Sequence, residues 1–120
     1  MAMEDQIKKA IGAHGMWKMR LNNAIEKGEL DIPVEQIQKD DCCEFGKWLY
    51  GNDVTPTVKA SKTYQNVKTL HADFHKVAGK VASLSTNRKD EAKNLMEGEF
   101  KNTSLKLTSE MMKWIKEING

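Results

Sequence analysis

Ile7, Ile11, His14, Trp17, Leu21 and Ile25 recur at spacings of three and four residues. On an α-helix this spacing places all six side chains on one face. Tyr64, Val67, His71, Phe74, Ala78 and Val81 repeat the pattern. Leu95, Phe100, Leu107, Met111, Trp114, Ile115 and Ile118 follow it more loosely in the last third. No alternating apolar–polar stretch and no hairpin turn signal intervenes. A chain of 120 residues built this way closes its core helix against helix. The predicted fold is all-α, a four-helix-type bundle with one additional short helix, in a single domain spanning residues 1–120.

The boundaries follow from punctuation. The first run extends from about Glu4 to Lys27, where Gly28 marks a helix end. Residues 34–39 leave room for one or two helical turns. Asp40 and Asp41 are N-cap candidates for a short helix from about Cys42 to Tyr50. Thr55-Pro56 reads as a helix start, with a capping hydroxyl followed by a proline whose missing N–H costs nothing there. The helix it opens is expected to reach about Leu84. After a break at Ser85-Thr86-Asn87, the helical period resumes from Asp90 to Ile118. Gly98 and Asn102-Thr103-Ser104 weaken its middle, which leaves two helices or one bent helix open.

Charge and cysteine usage exclude several classes. A formal charge of +2 lacks the dense basic patch from which nucleic-acid affinity arises. The only cysteines, Cys42 and Cys43, are adjacent and cannot staple distant parts of the chain. No segment reads as a signal peptide, and none approaches the roughly 18 apolar residues of a membrane span. The expected location is the cytoplasm.

Histidine and cysteine placement is more informative. His71 and His75, four residues apart on a helix, stack one turn apart and can reach one metal ion. His14 falls among apolar residues on the inward face of the first helix. Three imidazoles buried close together need partners and repel one another when charged; a shared divalent cation resolves both problems. Cys43, at the start of the short helix, supplies a fourth donor where exposed N–H groups favour a thiolate. Three neutral imidazoles and one thiolate suit tetrahedral Zn²⁺. Cys42 is expected to point elsewhere, and Trp17 to cover the site. Met96, Met111 and Met112 read as core or interface residues, as do Trp48 and Trp114.

Two other readings compete with a regulatory metal site. A zinc hydrolase or lyase needs an open coordination position for water, which Cys43 fills; Asp73, the nearest acid to the histidine pair, is expected to point away. A helical interaction domain in which zinc only holds the fold would need the same four residues.

The segments His14-Gly15-Met16-Trp17-Lys18-Met19-Arg20-Leu21, Cys43-Glu44-Phe45-Gly46-Lys47-Trp48-Leu49 and His71-Ala72-Asp73-Phe74-His75 together resemble the chemoreceptor zinc-binding (CZB) domain family of bacterial signalling proteins. The central segment is the most specific, and residues 92–104 resemble the family more loosely. The resemblance implies a helical bundle with one zinc held by His14, Cys43, His71 and His75. It further implies a non-enzymatic domain that controls chemoreceptor or diguanylate cyclase modules, in proteins that are commonly dimeric. The inputs it implies are zinc level or oxidation of the cysteine, notably by hypochlorous acid. No receptor coiled coil or cyclase motif is present in the sequence, so the output module is expected to be missing or supplied by another chain, and a homodimer is the expected working unit.

Overall fold

The first periodic run forms α1, Ala2–Lys27, in the computed structural model, which describes residues 2–30, 32–41 and 43–119 (of Ala2, the backbone only). Its inward face carries Ile7, Ala10, His14, Leu21 and Ile25, all buried. The helix stops at Gly28, whose φ is +70° and whose N–H returns to the Ala24 carbonyl at 2.8 Å.

Three short helices follow. They are α2, Val34–Gln38, α3, Glu44–Tyr50, and α4, Pro56–Lys59. Thr55 caps α4, its Oγ1 accepting the Val58 N–H at 3.3 Å, and Pro56 takes the first turn as expected. The helix begun there does not run on, however. It ends at Lys59, and Ser61 caps a new helix, α5, Lys62–Ser85, by accepting the Tyr64 N–H. Two start signals six residues apart thus both operate. The apolar period from Tyr64 onward belongs to the second.

The last third is one rod with a local defect. α6, Lys89–Leu95, passes through a π-helical turn, Met96–Phe100, directly into α7, Lys101–Asn119. The wider turn keeps Met96 and Phe100 both buried, and Phe100 packs against Phe74 of α5 with ring centroids 5.2 Å apart. Gly98 thus sits within a π turn rather than a break.

α5 is the central helix, packed against α1, α2, α6 and α7, while α3 lies on α1. The bundle measures 45 × 23 × 20 Å. Its long members are α1, α5 and the α6–α7 rod, and the segment carrying α2 and α3 covers the seam between α1 and α5. Met96, Met111 and Trp114 are buried and Trp48 is half-buried. Met112 is not part of the core, being 56% exposed. No helix among the described residues is long and apolar enough to cross a membrane.

Candidate metal centre

α1 brings His14 to the seam, and α5 brings His71 and His75 on one face, one turn apart. These side chains are buried to 4%, 0% and 2% exposure. The segment between α2 and α3 brings Cys43. The short helix starts at Glu44, and neither Asp40 nor Asp41 caps it. Cys43 is itself the N-cap, its Sγ accepting the Gly46 N–H at 3.3 Å. The sulfur takes the place that a serine or aspartate oxygen normally holds, so one atom both starts α3 and faces the histidines. Cys42 lies outside the described residues.

Phe45 of α3 meets the edges of His14 and His71, at 5.9 and 5.1 Å between ring centroids. Phe74 of α5 meets His14 and His75, at 5.0 and 5.7 Å. The imidazoles are therefore enclosed by aromatic walls. A cavity of about 300 Å³ opens beside them, lined by His14, Trp17, Cys43, Phe45 and His75 among others. Trp17 stands at this opening with the Arg20 guanidinium 4.2 Å over its ring. Asp73 is exposed on the outer face of α5.

Two hydrogen bonds fix ring orientation. His14 Nδ1 donates to the Ala10 carbonyl at 2.7 Å, and His75 Nδ1 donates to the Ile37 carbonyl at 2.9 Å. A carbonyl only accepts, so in both rings the proton is on Nδ1 and the Nε2 lone pair points inward. His71 Nε2 lies 3.1 Å from each of these Nε2 atoms. Cys43 Sγ lies 3.4 Å from His71 Nε2 and 3.5 Å from His75 Nε2. His71 Nδ1 is buried and has no hydrogen-bond partner among the described residues.

Burial sets the proton state. It lowers His14 to about 4, against the opposing Ala10 hydrogen bond and with a smaller contribution from His75. It lowers His71 to about 2, with repulsion from His75 and His14 adding to the effect. His75 is also lowered by burial, opposed by its bond to Ile37. All three imidazoles are neutral at pH 7, the form that binds a metal. Cys43 is pulled both ways. Burial raises its thiol above the ordinary value and outweighs the N–H groups that lower it, Gly46 first. The helix-start N–H groups therefore favour the thiolate less than burial disfavours it, and a bound cation would tip the balance towards the thiolate.

The donor set fits zinc. Its four atoms lie within 4.8 Å of one another. A tetrahedral zinc site has edges of about 3.3 Å between nitrogens and about 3.6 Å between nitrogen and sulfur, close to the 3.1 Å and 3.4–3.5 Å at which the His71 and Cys43 pairs above stand. Two inward lone pairs 3.1 Å from a third imidazole nitrogen can share at most one proton without a cation.

A family model described as the chemoreceptor zinc-binding domain matches residues 14–82, more than half of the chain. The chain belongs to the CZB family. The matched span opens at His14 and contains Cys43, His71 and His75, and the cofactor of this CZB domain is zinc. No curated protein and no solved structure matches the chain. As a CZB domain it is a zinc-binding signalling domain, of a family that is regulatory rather than catalytic.

Proposed function

We propose that His14, Cys43, His71 and His75 bind one zinc ion and that the domain, residues 1–120, reports zinc level or oxidation of Cys43 to a signalling module. The convergence of three Nε2 atoms and one Sγ within 4.8 Å, drawn from three separate segments, carries this reading. Zinc, when bound, holds the sulfur as a thiolate and ties α1, α5 and the start of α3 together. With four donors the site is closed and has no position for an activated water, which favours regulation over catalysis.

The chain's own residues account for the response. His14 and His75 are held by Ala10 and Ile37, so their rings stay in place when the sulfur changes. The cavity beside Trp17 reaches Cys43 from outside. With hypochlorous acid, the Cys43 sulfur attacks chlorine and hydroxide leaves. Water then replaces chloride on sulfur, giving sulfenic acid, chloride and a proton; sulfur loses the two electrons that chlorine gains. A sulfenic acid is a poorer donor and a poorer acceptor for the Gly46 N–H. Oxidation therefore loosens the metal site and the start of α3 together.

This reading includes a homodimer and a chemoreceptor or diguanylate cyclase output in a cytoplasmic setting, where a thiol stays reduced. Met16 and Met19, 55% and 60% exposed on α1, give a second copy an apolar surface to meet. Elemental analysis of the purified protein tests the site: one zinc per chain is expected, lost in His71→Ala. Hypochlorous acid titration tests the response, with stoichiometric zinc release expected. A Cys43→Ser variant with full zinc affinity and an unchanged oxidant response would overturn the proposal.

A further inference from the structure

Gly79 lies on α5 one turn beyond His75, is buried, and faces α2. A Cβ at this position would stand 2.2 Å from Cγ of Gln38, 3.2 Å from its Cδ and 3.3 Å from its Cβ. The closest of these atoms, Cγ, is two bonds from the Gln38 backbone, so a side chain at 79 forces α2 outward or Gln38 into another rotamer. α2 has little of its own to resist this. It is five residues long, and no side chain caps its start, so its place is set by packing on α5.

What α2 carries to the site is a carbonyl. Ile37, 3% exposed and adjacent to Gln38, accepts the His75 Nδ1–H at 2.9 Å. That bond fixes the tautomer and turns Nε2 inward, the task that outer partners perform for metal-binding histidines. His75 and Gly79 are four apart on one helix face, so the depth at which Gln38 seats on Gly79 sets where the Ile37 carbonyl meets His75.

We propose that Gly79 is a positioning residue for the metal centre: its missing side chain lets α2 seat deeply enough for the Ile37 carbonyl to orient His75. The inference rests on the four-residue zinc site proposed above. Its consequence runs against helix propensity, since alanine is the better helix former and would be benign at 79 if only α5 mattered.

The test compares wild-type protein, Gly79→Ala, Gln38→Ala and the double variant, all full-length. Zinc affinity is measured by competition with a chromogenic chelator. The Nδ1–H signals of His14 and His75 are read by nitrogen-15 NMR, with and without zinc. Gly79→Ala is expected to weaken zinc binding about 10- to 100-fold, the range for loss of a ligand-orienting partner. It is also expected to shift or broaden the His75 signal and leave that of His14 in place. Gln38→Ala alone leaves both readouts unchanged. Added to Gly79→Ala it removes the Cγ and Cδ in the way, returning affinity to within about threefold of wild type and restoring the His75 signal.

Wild-type affinity with an unmoved His75 signal in Gly79→Ala overturns the proposal, as does a loss that Gln38→Ala does not restore. If Gly79→Ala does not fold, the double variant decides: native affinity supports the proposal, while weakened binding or failure to fold overturns it. Failure of the zinc reading shows separately, as absence of zinc in the wild-type protein. The His75 signal of the metal-free protein then still answers the question about Gly79.

Discussion

Trp48 of α3 packs against Trp114 of α7 with ring centroids 5.9 Å apart, so the helix that begins at Cys43 touches the last helix of the bundle. Trp114 is 3% exposed and also meets Tyr64 of α5 at 6.0 Å. If α3 is released on loss of the metal, an aromatic face on α7 is expected to be uncovered. In a Trp17→Phe background, which removes the indole beside the metal centre, chelation of zinc is expected to shift tryptophan emission to the red. Trp48→Ala is expected to expose Trp114 with zinc still bound. An emission maximum unmoved by chelation would show that α3 stays seated without its metal.

The buried imidazoles make the metal-free protein acid-sensitive. His14 and His71 are held at about 4 and about 2, below the ordinary value of 6.5, and His75 is lowered as well. Below pH 6.5 the unfolded chain binds protons that the folded chain refuses, so stability rises with pH. The stabilising contribution is complete above about pH 6.5 and is lost as pH falls towards the folded values. His14 and His71 are each expected to contribute a loss of about 2 kcal/mol between pH 7 and pH 5. Urea unfolding of the metal-free protein at these two pH values measures it. An unchanged midpoint would contradict neutral burial of the cluster.

Much of this centre was legible in the sequence because helix periodicity fixes azimuth. His14 occupies a position in the stripe otherwise held by Ile7, Leu21 and Ile25, and His71 and His75 share a face, so inward burial followed from spacing alone. What escaped depends on contacts between segments. The break before Ser61 was hidden because Thr55-Pro56 is a genuine start and the apolar period beyond it is unbroken. The contact between Gly79 and Gln38 joins residues 41 apart, and neither carries a local signal of it. The helix-start N–H groups that favour the Cys43 thiolate are visible in sequence, while the burial that opposes them in the metal-free protein is not.

Zinc binding is expected to release one proton per ion at pH 7. The three histidines are already neutral there, while burial keeps the Cys43 thiol protonated until the metal displaces its proton. Calorimetric titrations in buffers of different ionisation enthalpy give the number directly. A value near one in the wild type, falling to near zero in Cys43→Ser, is the expected pair of results. Release of two or more protons would mean that imidazolium is displaced too.

Gly46 is the position where a single methyl group should do most damage without touching a ligand. A Cβ there would stand 1.7 Å from the Asp40 carbonyl oxygen and 2.8 Å from its carbon, both backbone atoms that no rotamer change can clear. The same glycine donates the N–H that Cys43 Sγ accepts. Gly46→Ala therefore has to push the 40–43 segment away from α3, which moves the sulfur and breaks its bond to the helix start together. Zinc affinity is expected to fall more than tenfold. Stability should fall by about 2–3 kcal/mol, within the range for overpacking a filled site, even though alanine is the better helix former. Chelator competition and thermal unfolding of the zinc-loaded protein check both. Near-native values in Gly46→Ala would mean that the Asp40 carbonyl can retreat without carrying Cys43 with it.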